Sequence, residues 1–99
     1  MTTTEITYSE SDTKGRYGAR PTGAADEAEM TTSKVSDSMI IVDHTFVPDA
    51  LRGTGLAGAL AERVIADARS KGQRIVPLCP FLRGYAEKHR KDLEDVIQW

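Results

Sequence analysis

Hydrophobic and polar positions along this chain follow two regimes. Up to residue 47 they form short runs rich in Thr, Tyr, Val and Ile, broken by Gly, Pro, Asp and Ser. Beyond residue 55 the apolar positions recur at helical spacing. The first regime predicts strands and the second a helix. "TEITYSES" (residues 4–11) reads as a strand ended by residues 12–15. "RYGARP" (16–21) reads as a second, closing at Pro21 and Gly23. "DEAEMTTSKVS" (26–36) reads as a third, its Thr and Val outweighing its Ala and Glu. "SMIIVDHTFV" (38–47) is the clearest strand. Its unbroken β-branched and apolar run is that of a strand buried on both faces, and Pro48 and Asp49 end it.

The helix comes next. Leu56, Leu60, Ala61, Val64 and Ala68 share one face, Glu62, Arg63, Asp67 and Lys71 point the other way, and Gly72 supplies the stop. "QRIVPLC" (73–79) predicts a second buried strand, and "FLRGYAEKHRKDLEDVIQW" (81–99) a final helix. A β–loop–α–β unit of this kind joins parallel strands by a right-handed crossover. With antiparallel strands before it, the fold class is α+β: a mixed, mostly antiparallel sheet, a C-terminal β–loop–α–β unit and a final helix.

Composition narrows this picture. The 99 residues make one domain, 1–99, with room for one modest core. A single Cys permits no internal disulfide, which fits a reducing compartment, and residues 1–15 lack the basic and apolar regions of a signal peptide, so a cytoplasmic protein is expected. The longest aliphatic run, residues 39–42, is far too short for a membrane span, and the net charge of −2 argues against nucleic acid as a partner. The charge is unevenly placed. Residues 1–50 hold four Lys/Arg and nine Asp/Glu, whereas residues 51–99 hold nine and six. The basic half carries a glycine loop, as a phosphate-bearing ligand would need, although chance accounts for such an imbalance equally well.

That loop, "RGTGLAG" (52–58), has two readings. Gly53, Gly55 and Gly58 match G-x-G-x-x-G of dinucleotide-binding folds. Yet residues 48–52 separate the loop from its strand, and about 20 positions on stand Leu78 and Cys79 rather than the acid that would hold a ribose. No Lys-Ser or Lys-Thr follows the glycines, so a Walker loop is excluded too. The second reading is R-x-x-G-x-A on Arg52, Gly55 and Ala57. Either way, glycines before a helix N-terminus create an anion site, or they merely turn the chain.

With Arg52, Gly55 and Ala57 so spaced, the sequence resembles the GNAT acetyltransferase superfamily, and within it a short, single-domain group. "VDHTFVPDALRGTGLAGALAERVIADARSKG" and "RIVPLCPFLRGYAEKH" carry the resemblance, which covers roughly residues 40–89. It implies that acetyl-CoA (coenzyme A) lays its pyrophosphate on Arg52, Gly53, Thr54, Gly55, Leu56 and Ala57. It implies a backbone N–H near Phe46 or Val47 that polarises the acetyl carbonyl, and Lys88 beside the ligand. Pro77 and Pro80, which lack a backbone N–H, would make the parallel strands part near Cys79, and GNAT folds place the pantetheine arm in such a splay.

Three side chains are candidates for chemistry. His44 is either a general base or a packed, hydrogen-bonded core histidine, and is expected to share a sheet face with Val42 and Phe46, opposite Asp43 and Thr45. Cys79 is either an acetyl relay, given a lowered thiol pKa, or an inert buried cysteine. Tyr85 is either the acid that protonates the departing thiolate or part of the core. The leading expectation is a monomeric N-acetyltransferase acting on an unidentified amine, a protein amine included. Residues 9–21 are too short for the helices that wall the acceptor site in larger GNAT domains. A non-catalytic CoA-binding module and a purely structural domain stay open beside it.

Overall fold

The computed structural model describes residues 4–53 and 55–99. Five strands form one sheet in sequence order: β1 (Thr4–Glu10), β2 (Lys14–Pro21), β3 (Ala28–Ser36), β4 (Met39–Phe46) and β5 (Arg74–Pro77). The first four are antiparallel neighbours, and β4 pairs with β5 in parallel, as the β–loop–α–β reading requires. Between β4 and β5 run a single 3-10 turn (Asp49–Leu51) and the helix α1 (Leu56–Lys71). A second helix, α2 (Pro80–Lys88), comes after β5. The α+β class is thus the observed one.

One face of the sheet is covered and the other is bare. Tyr17, Met30, Val42 and Ile75 point into a core with Leu56, Leu60, Val64 and Ile65 of α1 and Leu82 and Ala86 of α2. Burial of each large aliphatic side chain stabilises the fold by roughly 1.5–3 kcal/mol. Alternate residues of the same strands, among them Arg16, Thr31, Ser33, Ile41 and Val76, are left partly exposed on the opposite face. This corrects the expectation that β4 and β5 are buried on both faces. Both helices pack on one side, so β4 and β5 alternate between buried and half-open positions despite their apolar composition.

Two further expectations are corrected. Asp67 does not point away from the sheet; it accepts a 2.7 Å hydrogen bond from the Tyr17 hydroxyl and pairs with Arg63. The C-terminal segment is not one helix to residue 99. α2 ends at Lys88, and residues 89–96 form turns that bring Ile97 alongside Ile75 as a parallel bridge. The cause is tertiary. Arg74 of β5 donates to the carbonyl oxygens of Glu94, Asp95 and Ile97, and Arg69 of α1 grips the Asp95 carboxylate. The Ile75 N–H donates to the Val96 carbonyl and the Gln98 N–H to the Ile75 carbonyl, so the β5 edge gains a cover it otherwise lacks.

The folded state holds its tyrosines neutral. Burial, followed by the neighbouring Glu10, pushes the Tyr8 phenol up to about 12. Burial and the hydrogen bond to Asp67 raise Tyr17, and burial followed by Glu62 raises Tyr85. These are all three tyrosines of the chain. A raised pKa means that the native state keeps a proton that the unfolded state releases near pH 10. The associated stability is therefore complete below about pH 10 and declines as pH climbs through the native values. Phenolate absorbance of the native protein should rise well above the midpoint seen in urea. Urea midpoints should fall from about pH 10 upward, less steeply in Tyr8→Phe.

Candidate active site

The functional features gather where β4 and β5 separate. Their ladder runs from Met39–Arg74 to Val42–Pro77, and one last bond joins the Cys79 N–H to the Val42 carbonyl at 2.9 Å. Pro77 offers no donor, and Pro80 opens α2, so the chain turns off the sheet. β4 continues to Phe46 alone on that side, leaving a gap between strands.

Within this stretch β4 carries a bulge. Thr31 of β3 pairs with His44 and Thr32 with Val42, so Asp43 is an extra residue. The added position reverses the facing of residues 44 to 46. Val42 lies on the core face, while His44 and Phe46 lie on the open face, opposite the registers of Thr32 and Met30. His44 therefore shares a face with Phe46 as expected, but not with Val42. The two rings stack at 6.5 Å, and both residues are exposed. The Asp43 side chain is held across three strands: Ser33 donates to it at 2.7 Å, and Lys14 donates to Ser33 and sits 3.6 Å from the Asp43 carboxylate.

Thr45 pairs with Met30 and so turns back toward the core face, where the Cys79 thiol donates to its hydroxyl at 3.2 Å. Cys79 is 3% exposed. It stands at the N-cap of α2 without making a side-chain cap bond. The thiol is thus buried and engaged by the Thr45 hydroxyl.

The loop beyond β4 is built for close approach. Gly53 and Gly55 have φ of +80° and +81°, a region costly for any side chain with a Cβ. Gly55 is the N-cap of α1, whose first turn has neither a capping side chain nor an acid. The N–H groups there and the positive end of the helix dipole are thus available to an anion. Val47, Arg52, Gly53, Gly55, Leu56 and Ala57, together with Leu51, line one cavity of about 200 Å³. Arg52 is exposed and pairs with Asp49, Nε to Oδ1, at 3.2 Å. Thr54 lies outside the described residues.

Other candidates sit apart. Tyr85 lies between the tilted rings of Phe81 and His89, half-buried against the core, and burial followed by Glu62 pushes its phenol up. Lys88 is exposed at the far end of α2, about 12 Å along the axis from Cys79, and does not line the loop cavity. On the open sheet face a shallow depression of about 730 Å³ borders Arg16, Thr31 and Asp43, beside His44. Sequence reasoning missed Thr45, Asp43 and Asp49. The first two depend on the bulge, which no period-two reading shows. Asp49 was visible as an acid three residues before Arg52.

Residues 16–96 match the model of a family described as GCN5-related N-acetyl-transferase. No curated protein matches the chain.

The buried, hydrogen-bonded state of Cys79 has a direct readout. A disulfide reagent should label the native protein at least about tenfold more slowly than the same protein in urea, since burial limits access to the sulfur.

Proposed function

The chain belongs to the GCN5-related N-acetyltransferase family, and on that footing we propose that it binds acetyl-CoA on the 52–57 loop and transfers the acetyl group to an amine. The observation that carries this reading is the loop itself. Two glycines at positive φ, an uncapped helix N-terminus and Arg52 surround one cavity that Val47, just past β4, also lines. Backbone donors and a dipole end suit a pyrophosphate, and Arg52 adds a mobile charge that pairs with a phosphate oxygen. Thr54 and Lys88 complete the cofactor set in this proposal.

The reaction proposed is direct. The amine nitrogen attacks the thioester carbonyl, the C–N bond forms, the C–S bond breaks, and CoA departs with the sulfur electrons. His44 accepts the proton that the amine loses, from the open face on which the acceptor arrives. A main-chain N–H at Phe46 or Val47 stabilises the charge developing on the carbonyl oxygen. Tyr85, a phenol pushed further above its ordinary value by burial and then by Glu62, is the candidate donor to the departing thiolate. A route through an acetyl-Cys79 is less favoured, because that thiol is buried and engaged by Thr45. The open sheet face favours an acceptor amine on a large molecule, since the depression there is shallow and does not enclose a small one.

An amide-resolved NMR titration with acetyl-CoA, with NAD as control, tests the reading. Shifts centred on residues 52–58 and near Cys79 with acetyl-CoA alone are expected; none with acetyl-CoA would discard it. Arg52→Gln should weaken acetyl-CoA binding by roughly three- to tenfold, the range of an exposed charged contact. His44→Ala should leave that affinity unchanged and abolish most acetyl transfer, measured as a mass gain of about 42 Da on an amine acceptor, the acetyl increment in any such transfer.

A further inference from the structure

We propose that Asp49 is an internal competitor for Arg52, which the phosphate of the ligand must displace. The proposal rests on the reading that the 52–57 loop holds a pyrophosphate. The two residues are joined twice: Arg52 Nε lies 3.2 Å from Asp49 Oδ1, and the Arg52 N–H donates to the Asp49 carbonyl at 3.3 Å. The 3-10 turn over Asp49–Leu51 thus sets the acid beneath the guanidinium by its own geometry. Neither side chain has another ion-pair or hydrogen-bond partner among the described residues. Both are largely open to solvent, at 93% for Asp49 and 71% for Arg52, so the pair can open without disturbing the core.

Asp49 is also the only acid between Asp43 and Glu62. The loop and the first turn of α1 carry one cation and one anion that cancel, and the resting site attracts an anion through its N–H groups and helix dipole alone. When a phosphate approaches, Arg52 exchanges one anionic partner for another. The work of parting from Asp49 then subtracts from binding. This makes the charge at position 49 a setting for affinity that acts only on ligands bearing the pyrophosphate. A pantetheine fragment, which has none, gains nothing from Arg52 and loses nothing to Asp49.

Binding isotherms at low salt test this. Free CoA, inorganic pyrophosphate and pantetheine are titrated into the wild type, Asp49→Asn, Arg52→Gln and the double variant. Asp49→Asn should bind CoA and pyrophosphate about two- to fivefold more tightly, the scale of one exposed ion pair, with the gain shrinking at high salt. Pantetheine binding should not change, and the gain should largely vanish in the Arg52→Gln background. Equal or weaker CoA binding by Asp49→Asn overturns the proposal alone. A gain that persists undiminished without Arg52 also overturns it, showing plain repulsion in place of competition. A wild type that does not bind CoA at all overturns the pyrophosphate reading and the competitor with it.

Discussion

Between Val42 and His44 the β4 strand holds one residue more than β3, and the facing of every later side chain in that strand depends on it. Without Asp43 as the extra position, His44 would lie on the core face with Val42, and Thr45 would face solvent. With it, Thr45 meets the Cys79 thiol and His44 stands in the open beside Phe46. A bulge leaves the extra residue without a ladder partner. Here the side chain of that residue is tied instead, through Ser33 to Lys14, across three strands. The local irregularity is therefore supported by a polar chain on the open face.

The same face shows how a chain of this size uses its core. Both helices lie on one side of the sheet, and the buried aliphatic side chains are concentrated there. The other side is covered by side chains of its own: Arg16 pairs with Glu27 and Glu29, and Arg20 with Glu27. Exposed pairs of this kind contribute little to stability individually. They do keep a bare sheet face polar, which limits its tendency to associate. At the other edge, the Arg74 and Arg69 contacts to the C-terminal segment protect β5, again by charged donors reaching backbone acceptors.

Electrostatics divide the molecule along the same line. The excess of acids in residues 1–50 lies in β1 to β4 and their turns, and the excess of bases lies beyond residue 51, in the loop, α1, β5, α2 and the segment after it. The glycine loop sits at the boundary. There the helix N-terminus carries no capping side chain and no acid in its first turn, and the Arg52 guanidinium is paired with Asp49. Directional donors at a helix end are less sensitive to salt than free side-chain charge.

Much was written in the sequence itself. The strands, α1 with its Gly72 stop, the parallel β4–β5 pair, and the loop whose spacing matches one family and rejects the dinucleotide alternative all come from local rules: period, breakers and glycine placement. Those rules act over a few residues, so one sequence displays them. Three features needed the folded chain. The β4 bulge depends on pairing with β3, and a single extra residue leaves no mark in an apolar run. The one-sided burial of β4 and β5 depends on where two helices pack. The docking of residues 92–98 beside β5 depends on Arg69 and Arg74, which lie some 18 to 29 residues earlier in the chain. Each is a competition between local preference and long-range partners, and tertiary contacts decide it because only they bring those partners within reach.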